Sequence, residues 1–334
     1  FAGALFVDIN ALAERRYIVG ALASVGVVLS TAIAGMAAWG LFGMLGLDIG
    51  LAWCLVLGAV IAPTDPVAVL GILKSAGVPA SLETKFVGES LFNDGVAVVV
   101  FLVLLEAATT GHFAPAEIGL LFVQEAVGGA LLGLAAGWFA HRMLRTLDQY
   151  QVEILITLAV VMGGYALAHA LHLSGPIAMV VAGLLLGNHQ RTRAMSRKTR
   201  EHLDQFWELV DELLNAVLFV LIGLELLLLP FGGVQLWAGL LMIPVALAAR
   251  FAAVGLPITL LRPFRVFSAG ARRVPTRGGR RGGISVALAL SVPAGDAREI
   301  LLPVTYVIVV FSLVVQGLTI GPLAARLTQS AQAE

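Results

Sequence analysis

The sequence predicts an all-α polytopic membrane protein, and three observations carry that prediction. Of 334 residues, 59% are hydrophobic and only 13% charged, with a mean hydropathy of +0.95; a soluble domain carries roughly a quarter charged residues. The apolar residues fall into runs of the length that crosses a bilayer core, about 20 residues of helix. The basic residues gather in alternate connections between those runs, as they do in cytoplasmic loops. This composition excludes a disordered chain, a nucleic-acid binder and a soluble enzyme. Lys+Arg and Asp+Glu balance at 21 each, so net charge points to no acidic or basic macromolecular partner. The single cysteine, Cys54, lies in an apolar run, which excludes a disulfide framework and a cysteine-based zinc site. The histidines lack HExxH spacing; His169 and His172, three apart near a helix end, are the pair placed for metal binding or pH sensing.

The elements follow in order. The chain opens at Phe1, without Met, partway through an apolar stretch, and no basic segment or cleavage site follows. Residues 1–10 therefore read as the remnant of an upstream helix and not as a signal peptide. The first span, 17–46, follows Arg15 and Arg16; 51–73 ends at Lys74; 84–110 begins at Lys85; 116–140 stops before Arg142 and Arg145. Spans 152–171 and 174–188 lead to a linker, 189–204, holding Arg191, Arg193, Arg197, Lys198 and Arg200. Spans 205–230 and 234–261 lead to a second linker, 262–277, with Arg262, Arg265, Arg272, Arg273 and Arg277. Spans 278–294 and 299–325 complete the set, with Arg326 beyond the last. All these basic residues fall on one side, and Arg298 alone lies on the other. Two spans, 174–188 and 278–294, are short, but making either re-entrant would break the alternation. The expectation is ten crossings in a cell membrane, with a cytoplasmic C-terminal tail, 328–334. The basic linkers read as topology signals and not as ligand sites.

Several ionisable residues lie within the spans, and an intramembrane charge is expensive enough to mark a functional site. Depth sorts them. Asp94 is about ten residues, roughly 15 Å, into its helix. Asp65 and Arg250 also lie near mid-span. Asp211, Glu212 and Glu225 lie nearer span ends, where water is in reach, and read as structural; Glu125 has no evident role.

Four motifs carry the chemistry. The run Gly58-Ala59-Val60-Ile61-Ala62-Pro63-Thr64-Asp65-Pro66-Val67 puts two prolines in mid-span. Each removes a backbone donor and obstructs the helix, and irregular backbone at this depth is tolerated only when buried in protein or lining a cavity. The break should offer a cation free carbonyls and Thr64; a simple proline kink would need neither Thr64 nor Asp65. The second motif is Gly88-Glu89-Ser90-Leu91-Phe92-Asn93-Asp94-Gly95. Helical spacing puts Ser90 and Asp94 on one face, and Glu89 with Asn93 on a neighbouring face. Oxygen ligands from Asp94 and Ser90 suit an alkali cation, not a transition metal. Burial favours the protonated carboxyl and a bound cation favours the carboxylate, so one Asp94 can hold a proton or a cation in competition. Third, Arg250 needs an anionic partner at mid-span; Glu89 is the expected one, which would leave Asp94 free to titrate. Fourth, Gly278-Gly279-Arg280-Arg281-Gly282-Gly283 opens the 278–294 span. It is no phosphate loop, since no GK[ST] follows, and its glycines allow an irregular helix start. Spans 17–110 and 234–325 are matched in number and opposite in orientation, each with its irregular helix in the middle, the pattern of inverted-repeat transporters.

Together the stretches APTDPVAV, GESLFNDGVAVVVF, LLNAVLFVLIGLEL, LAARF and GGRRGGISVALAL resemble the monovalent cation:proton antiporter family, the sodium/proton exchangers of the bacterial NhaP-like branch, in family order over residues 1–326. The resemblance implies an inverted-repeat fold with two discontinuous, crossing helices. The core would be 17–110 and 234–327, with 116–230 as dimerisation and scaffold helices. It implies that Asp94 binds cation and proton, and that Asn93 completes the Asn-Asp pair of electroneutral exchangers. Ser90 and the Thr64 backbone would be further ligands of a monovalent cation. Asp65 would balance the ends of the broken helices, Arg250 would pair with Glu89, and Arg281 would face the cytoplasmic entrance and serve the pH response. Family members work as homodimers by an elevator movement, exchange Na+, Li+ or K+ for H+, and use no cofactor. One departure is visible: where many relatives have Glu after the Phe of an FEGAL-like stretch, this chain has Ala2. Two other readings compete. An intramembrane aspartyl protease would use Asp65 and Asp94 as a dyad, but the GxGD signature is missing. A channel or non-transporting scaffold would use the same charges structurally.

Overall fold

The computed structural model describes residues 1–14, 16–64, 80–111, 115–147, 149–193, 197–228, 233–261 and 281–319. Among them the secondary structure is helical throughout: α1 (Ala2–Leu5), α2 (Ile9–Glu14), α3 (Arg16–Ala23), α4 (Val25–Met44), α5 (Leu51–Val60), α6 (Ala80–Thr110), α7 (Pro115–Leu144), α8 (Tyr150–Ala170), α9 (Gly175–Arg193), α10 (Arg197–Leu228), α11 (Gly233–Leu261), α12 (Gly283–Leu290) and α13 (Asp296–Phe311), the last continued by a π-turn at Ser312–Gln316. Six helical stretches among the described residues are long and apolar enough to cross a membrane: Val19–Met44, Ser90–Thr110, Gly119–Leu144, Tyr150–Ala170, Gly233–Pro257 and Asp296–Thr319. The predicted span 205–230 overlaps α10 over 205–228, its last two residues lying outside the described set; α10 is a 32-residue helix that also takes up part of the preceding linker. It carries six acidic residues, Glu201, Asp204, Glu208, Asp211, Glu212 and Glu225.

The chain forms two compact units, Phe1–Glu14 with Pro115–Leu221, and Arg15–Ala114 with Ile222–Glu334. In the first, α9 packs along α7 through small residues. A Cβ on Gly129 would lie 2.6 Å from the Ser174 carbonyl, one on Gly133 would strike the Ala178 carbonyl, and one on Gly137 would lie 3.1 Å from Ala182 Cα. Glycine every fourth residue is thus what lets two backbones touch where lipid supplies no hydrophobic drive between helices. Gly133→Val should cost about 1–3 kcal/mol or more, because it meets backbone that cannot rotate away. The expected result is a lower melting temperature in detergent, with Gly163→Ala, which meets nothing within 4 Å, unchanged.

The stretch predicted as one helical remnant, 1–10, is instead two short helices separated at 6–8. Asn188 of α9 holds the gap: its Oδ1 accepts from Ile9 N at 2.8 Å and its Nδ2 donates to the Val7 carbonyl at 2.8 Å. A side-chain amide replaces the backbone bonds that the break leaves unmade. Below it Leu5, Leu144, Ile156, Leu186, Leu203 and Trp207 form an apolar cluster, and the Trp207 indole donates to Thr157 Oγ1 at 3.1 Å. His169 and His172 are both exposed, His172 in a left-handed turn at φ 54°. Among the described residues no group of three His, Cys, Asp or Glu side chains is placed to hold a metal ion.

In the second unit α4 lies against α5, again at glycines: a Cβ on Gly35 would sit 2.8 Å from Leu55 Cα, and one on Gly58 would strike the Thr31 carbonyl. The predicted span 17–46 has an irregular turn at Ser24, whose hydroxyl donates back to the Gly20 carbonyl at 2.6 Å; such back-bonding bends helices. The main-chain ladder nonetheless continues, Ser24 N to Gly20 O and Val28 N to Ser24 O. Span 234–261 matches α11 to within a residue, although Pro244 and Pro257 lie inside it. Two helices are short. α5 has 10 residues and α12 has 8, about 15 and 12 Å of helix against a hydrocarbon core of about 30 Å. Whether 51–73 and 278–294 cross completely involves residues outside the described set.

Candidate functional site

The site grows from the end of α5. Pro63 has no N–H to give the Ala59 carbonyl, which accepts instead from Ala62 N at 3.3 Å, a tighter last turn of the kind that closes helix ends. The residue before a proline is also pushed away from helical backbone, so the helix stops and Thr64 is carried off its axis. Ala62 packs with Val27 of α4 and Ala97 of α6. That contact sets the turn against the middle of α6, where the second motif lies.

Thr64, Ser90 and Asn93 meet there, all buried. The Ser90 hydroxyl donates to the Thr64 carbonyl and lies 3.3 Å from Thr64 Oγ1. Asn93 Nδ2 donates to Thr64 Oγ1 at 3.0 Å. Ser90 and Asn93, three apart on α6, reach Thr64 together. Asp94, the next residue and one turn beyond Ser90, is half-buried. The Thr64 carbonyl, the Thr64 and Ser90 hydroxyls and the Asn93 amide therefore meet at the end of α5, and their oxygens are of the hard kind that suits an alkali cation. Asp65 and the side chain of Glu89 lie outside the described residues. Arg250 is 3% exposed on α11.

Two carbonyls of the described turn are engaged: the Thr64 carbonyl takes the Ser90 hydroxyl, and the Ile61 carbonyl takes Arg281. Arg281 was expected to face the cytoplasmic entrance, but it is 2% exposed and bound on three sides. Its Nε donates to the Ile61 carbonyl at 3.0 Å, its Nη2 to the Ala246 carbonyl of α11 at 2.8 Å, and its main-chain N–H to Ser312 Oγ at 2.9 Å. The last carbonyls of a helix have no partner within it and carry the negative end of its dipole. A buried guanidinium answers both needs at α5 and ties α5, α11 and the start of α12 together. Sequence reasoning missed Ser312 and Gln316, although they stand as a polar pair inside the apolar 299–325 span.

An all-helical membrane bundle with a helix broken beside buried hydrogen-bonding groups has the architecture of an inverted-repeat transporter. The family model described as "Sodium/hydrogen exchanger, transmembrane" matches residues 1–326. The Na(+)/H(+) antiporter NhaP of Pseudomonas aeruginosa is 51% identical over 333 residues, covering 98% of this chain and 78% of that protein. The Na(+)/H(+) antiporter NhaH of Halobacillus dabanensis is 37% identical over 320 residues, covering 94% of this chain and 77% of that protein. Among solved structures, the sodium proton antiporter MjNhaP1 of Methanocaldococcus jannaschii shares the fold, with a TM-score of 0.79 at 20% identity over 97% of this chain and 81% of that one. The chain belongs to the transmembrane sodium/hydrogen exchanger family.

Proposed function

We propose that the protein exchanges Na+ for H+ across the cell membrane, with Asp94 as the group for which the two compete. The observation that carries this is the junction of Thr64, Ser90 and Asn93 on the broken helix, one residue from Asp94. Family membership and the antiporter names of the relatives supply the ion pair. In this reading Asp94 holds a proton or a cation, and Ser90 and the Thr64 oxygens complete the cation's shell. Cation entry requires the Ser90–Thr64 and Asn93–Thr64 hydrogen bonds to yield oxygen lone pairs, which couples binding to a rearrangement of the break. One carboxylate with an uncharged Asn93 beside it takes one positive charge at a time, so exchange is electroneutral. Arg250 and Glu89 form a structural pair, Asp65 balances the helix ends, and Arg281 holds the crossing. The second unit is the moving core and the first the dimerisation scaffold of a homodimer that works by an elevator movement, with its C-terminus in the cytoplasm. Li+ and K+ are candidate substrates of the same site.

The test is reconstitution into vesicles containing a pH-sensitive dye. A pulse of Na+ should dequench the dye, choline should not, and Li+ and K+ pulses rank selectivity. Na+ current without proton movement would indicate a channel and refute exchange. Thr64→Val keeps the shape of the side chain but removes the acceptor of the Asn93 amide and one cation ligand. A polar contact to a charged partner contributes about 1.5–3 kcal/mol, and each 1.4 kcal/mol is about tenfold in an equilibrium. Thr64→Val should accordingly raise the half-saturating Na+ concentration by about tenfold in the same assay.

A further inference from the structure

We propose that Ser312, backed by Gln316, is a positioning residue that holds Arg281 in the crossing and so sets how the break presents Thr64 to the cation; this rests on the exchange reading above. Arg281 lies at an irregular helix start. It is followed by Gly282 and Gly283, and α12 begins at Gly283 with no side-chain cap. Glycines leave the backbone free to move, so the Cα from which the guanidinium must reach two carbonyls at once gains from an anchor. The anchor comes from Ser312, 31 residues further on and 1% exposed. Its oxygen accepts the Arg281 main-chain N–H while its hydroxyl donates to Gln316 Oε1. Donating to Gln316 directs the hydroxyl hydrogen away and turns a lone pair toward Arg281, so the two contacts support one another.

The backbone is shaped for this contact. Ser312–Gln316 is a π-turn in a helix that is α-helical before and after it. Such turns are rare and gather at functional sites. Gln316 would otherwise be an uncompensated amide in an apolar span, and Ser312 an ordinary small residue; together they form a relay that ends on the Arg281 backbone. Arg281 in turn holds the Ile61 carbonyl, three residues before Thr64. Loosening the anchor should let the guanidinium lose alignment with Ile61 or Ala246 and free the turn that carries Thr64.

The experiment compares wild type, Ser312→Ala, Arg281→Lys and the double variant in vesicles, with Ser312→Thr as the conservative control. Ser312→Ala should raise the half-saturating Na+ concentration roughly three- to tenfold, the effect of one neutral hydrogen bond, with little change in maximal rate. Ser312→Thr should restore it. If Ser312 acts through Arg281, the double variant should be no worse than Arg281→Lys alone. Additive effects, an unmoved half-saturation or failure of Ser312→Thr to rescue would overturn the proposal. Gln316→Leu removes the acceptor without touching Ser312 and should shift half-saturation in the same direction; no shift would also overturn it, and this variant serves if Ser312→Ala fails to fold. Wild type without Na+-driven proton movement would sink the exchange reading instead. The relay is then judged from melting temperatures, where lowered values for both Ser312→Ala and Gln316→Leu support it and wild-type values for both reject it.

Discussion

Asp94→Asn is expected to reduce Na+-driven proton movement to the level of protein-free vesicles while leaving a folded, membrane-embedded protein. The substitution keeps the size of the side chain and one oxygen ligand but removes the charge and the titrating proton. Without the charge, a bound cation loses its only anionic ligand within the proposed site; without the proton, nothing is left to exchange for it. The neighbouring contacts Asn93–Thr64 and Ser90–Thr64 do not use Asp94, so the break should keep its shape. Full exchange by Asp94→Asn would remove the carboxylate from the mechanism. A wild-type melting temperature that rises with Na+, and an Asp94→Asn melting temperature that does not, would locate the cation independently of transport.

The second large effect is expected at Arg281. Arg281→Ala leaves the Ile61 and Ala246 carbonyls without their donor and opens a void the size of a fully buried arginine side chain. Each unsatisfied buried group costs about 1–3 kcal/mol, and loss of the charge that faces the end of α5 adds to this. Misfolding or a large drop in melting temperature is the expected outcome. Arg281→Lys is the informative variant. It keeps the charge but replaces a planar fork with a single ammonium on a flexible stem, which cannot hold the directions to Ile61 and Ala246 together. It should fold, melt lower than wild type and transport with a raised half-saturating Na+ concentration. An Arg281→Lys protein with wild-type stability and transport would show that the two carbonyl contacts do not matter.

Much of this molecule was legible from its residues, for reasons that can be named. Long apolar runs have one solution in a bilayer, so the spans at 84–110, 152–171 and 234–261 come close to α6, α8 and α11. Pro63 ends α5 because a missing N–H acts locally, whatever packs nearby. Thr64 and Ser90 could each be singled out because prolines and mid-span polar residues are costly unless used, though their contact could not be read from spacing. What stayed hidden depends on approach between distant segments. Nothing in the spacing of Gly-Gly-Arg-Arg-Gly-Gly says that Arg281 points at a carbonyl 220 residues away. Helical spacing ranks neighbours within one helix, so it could not show that Asn93 donates to Thr64 on another segment. The gap at 6–8 was invisible for the same reason: Asn188, which bridges it, lies far along the chain. The helix length of α10 was underestimated because charged residues in the preceding linker suggested a loop, yet charge does not oppose helix at a water-facing end.

The bond from Arg281 to Ile61 also constrains the order of events during synthesis. α5 leaves the ribosome long before residue 281 exists, so its carbonyl end must enter or approach the lipid with no protein donor to meet it. The described helices α5 and α12 have 10 and 8 residues, about 15 and 12 Å. The crossing therefore closes late, when nearly the entire polypeptide is in place, and until then the nascent chain depends on water or insertion machinery to shelter the exposed dipole.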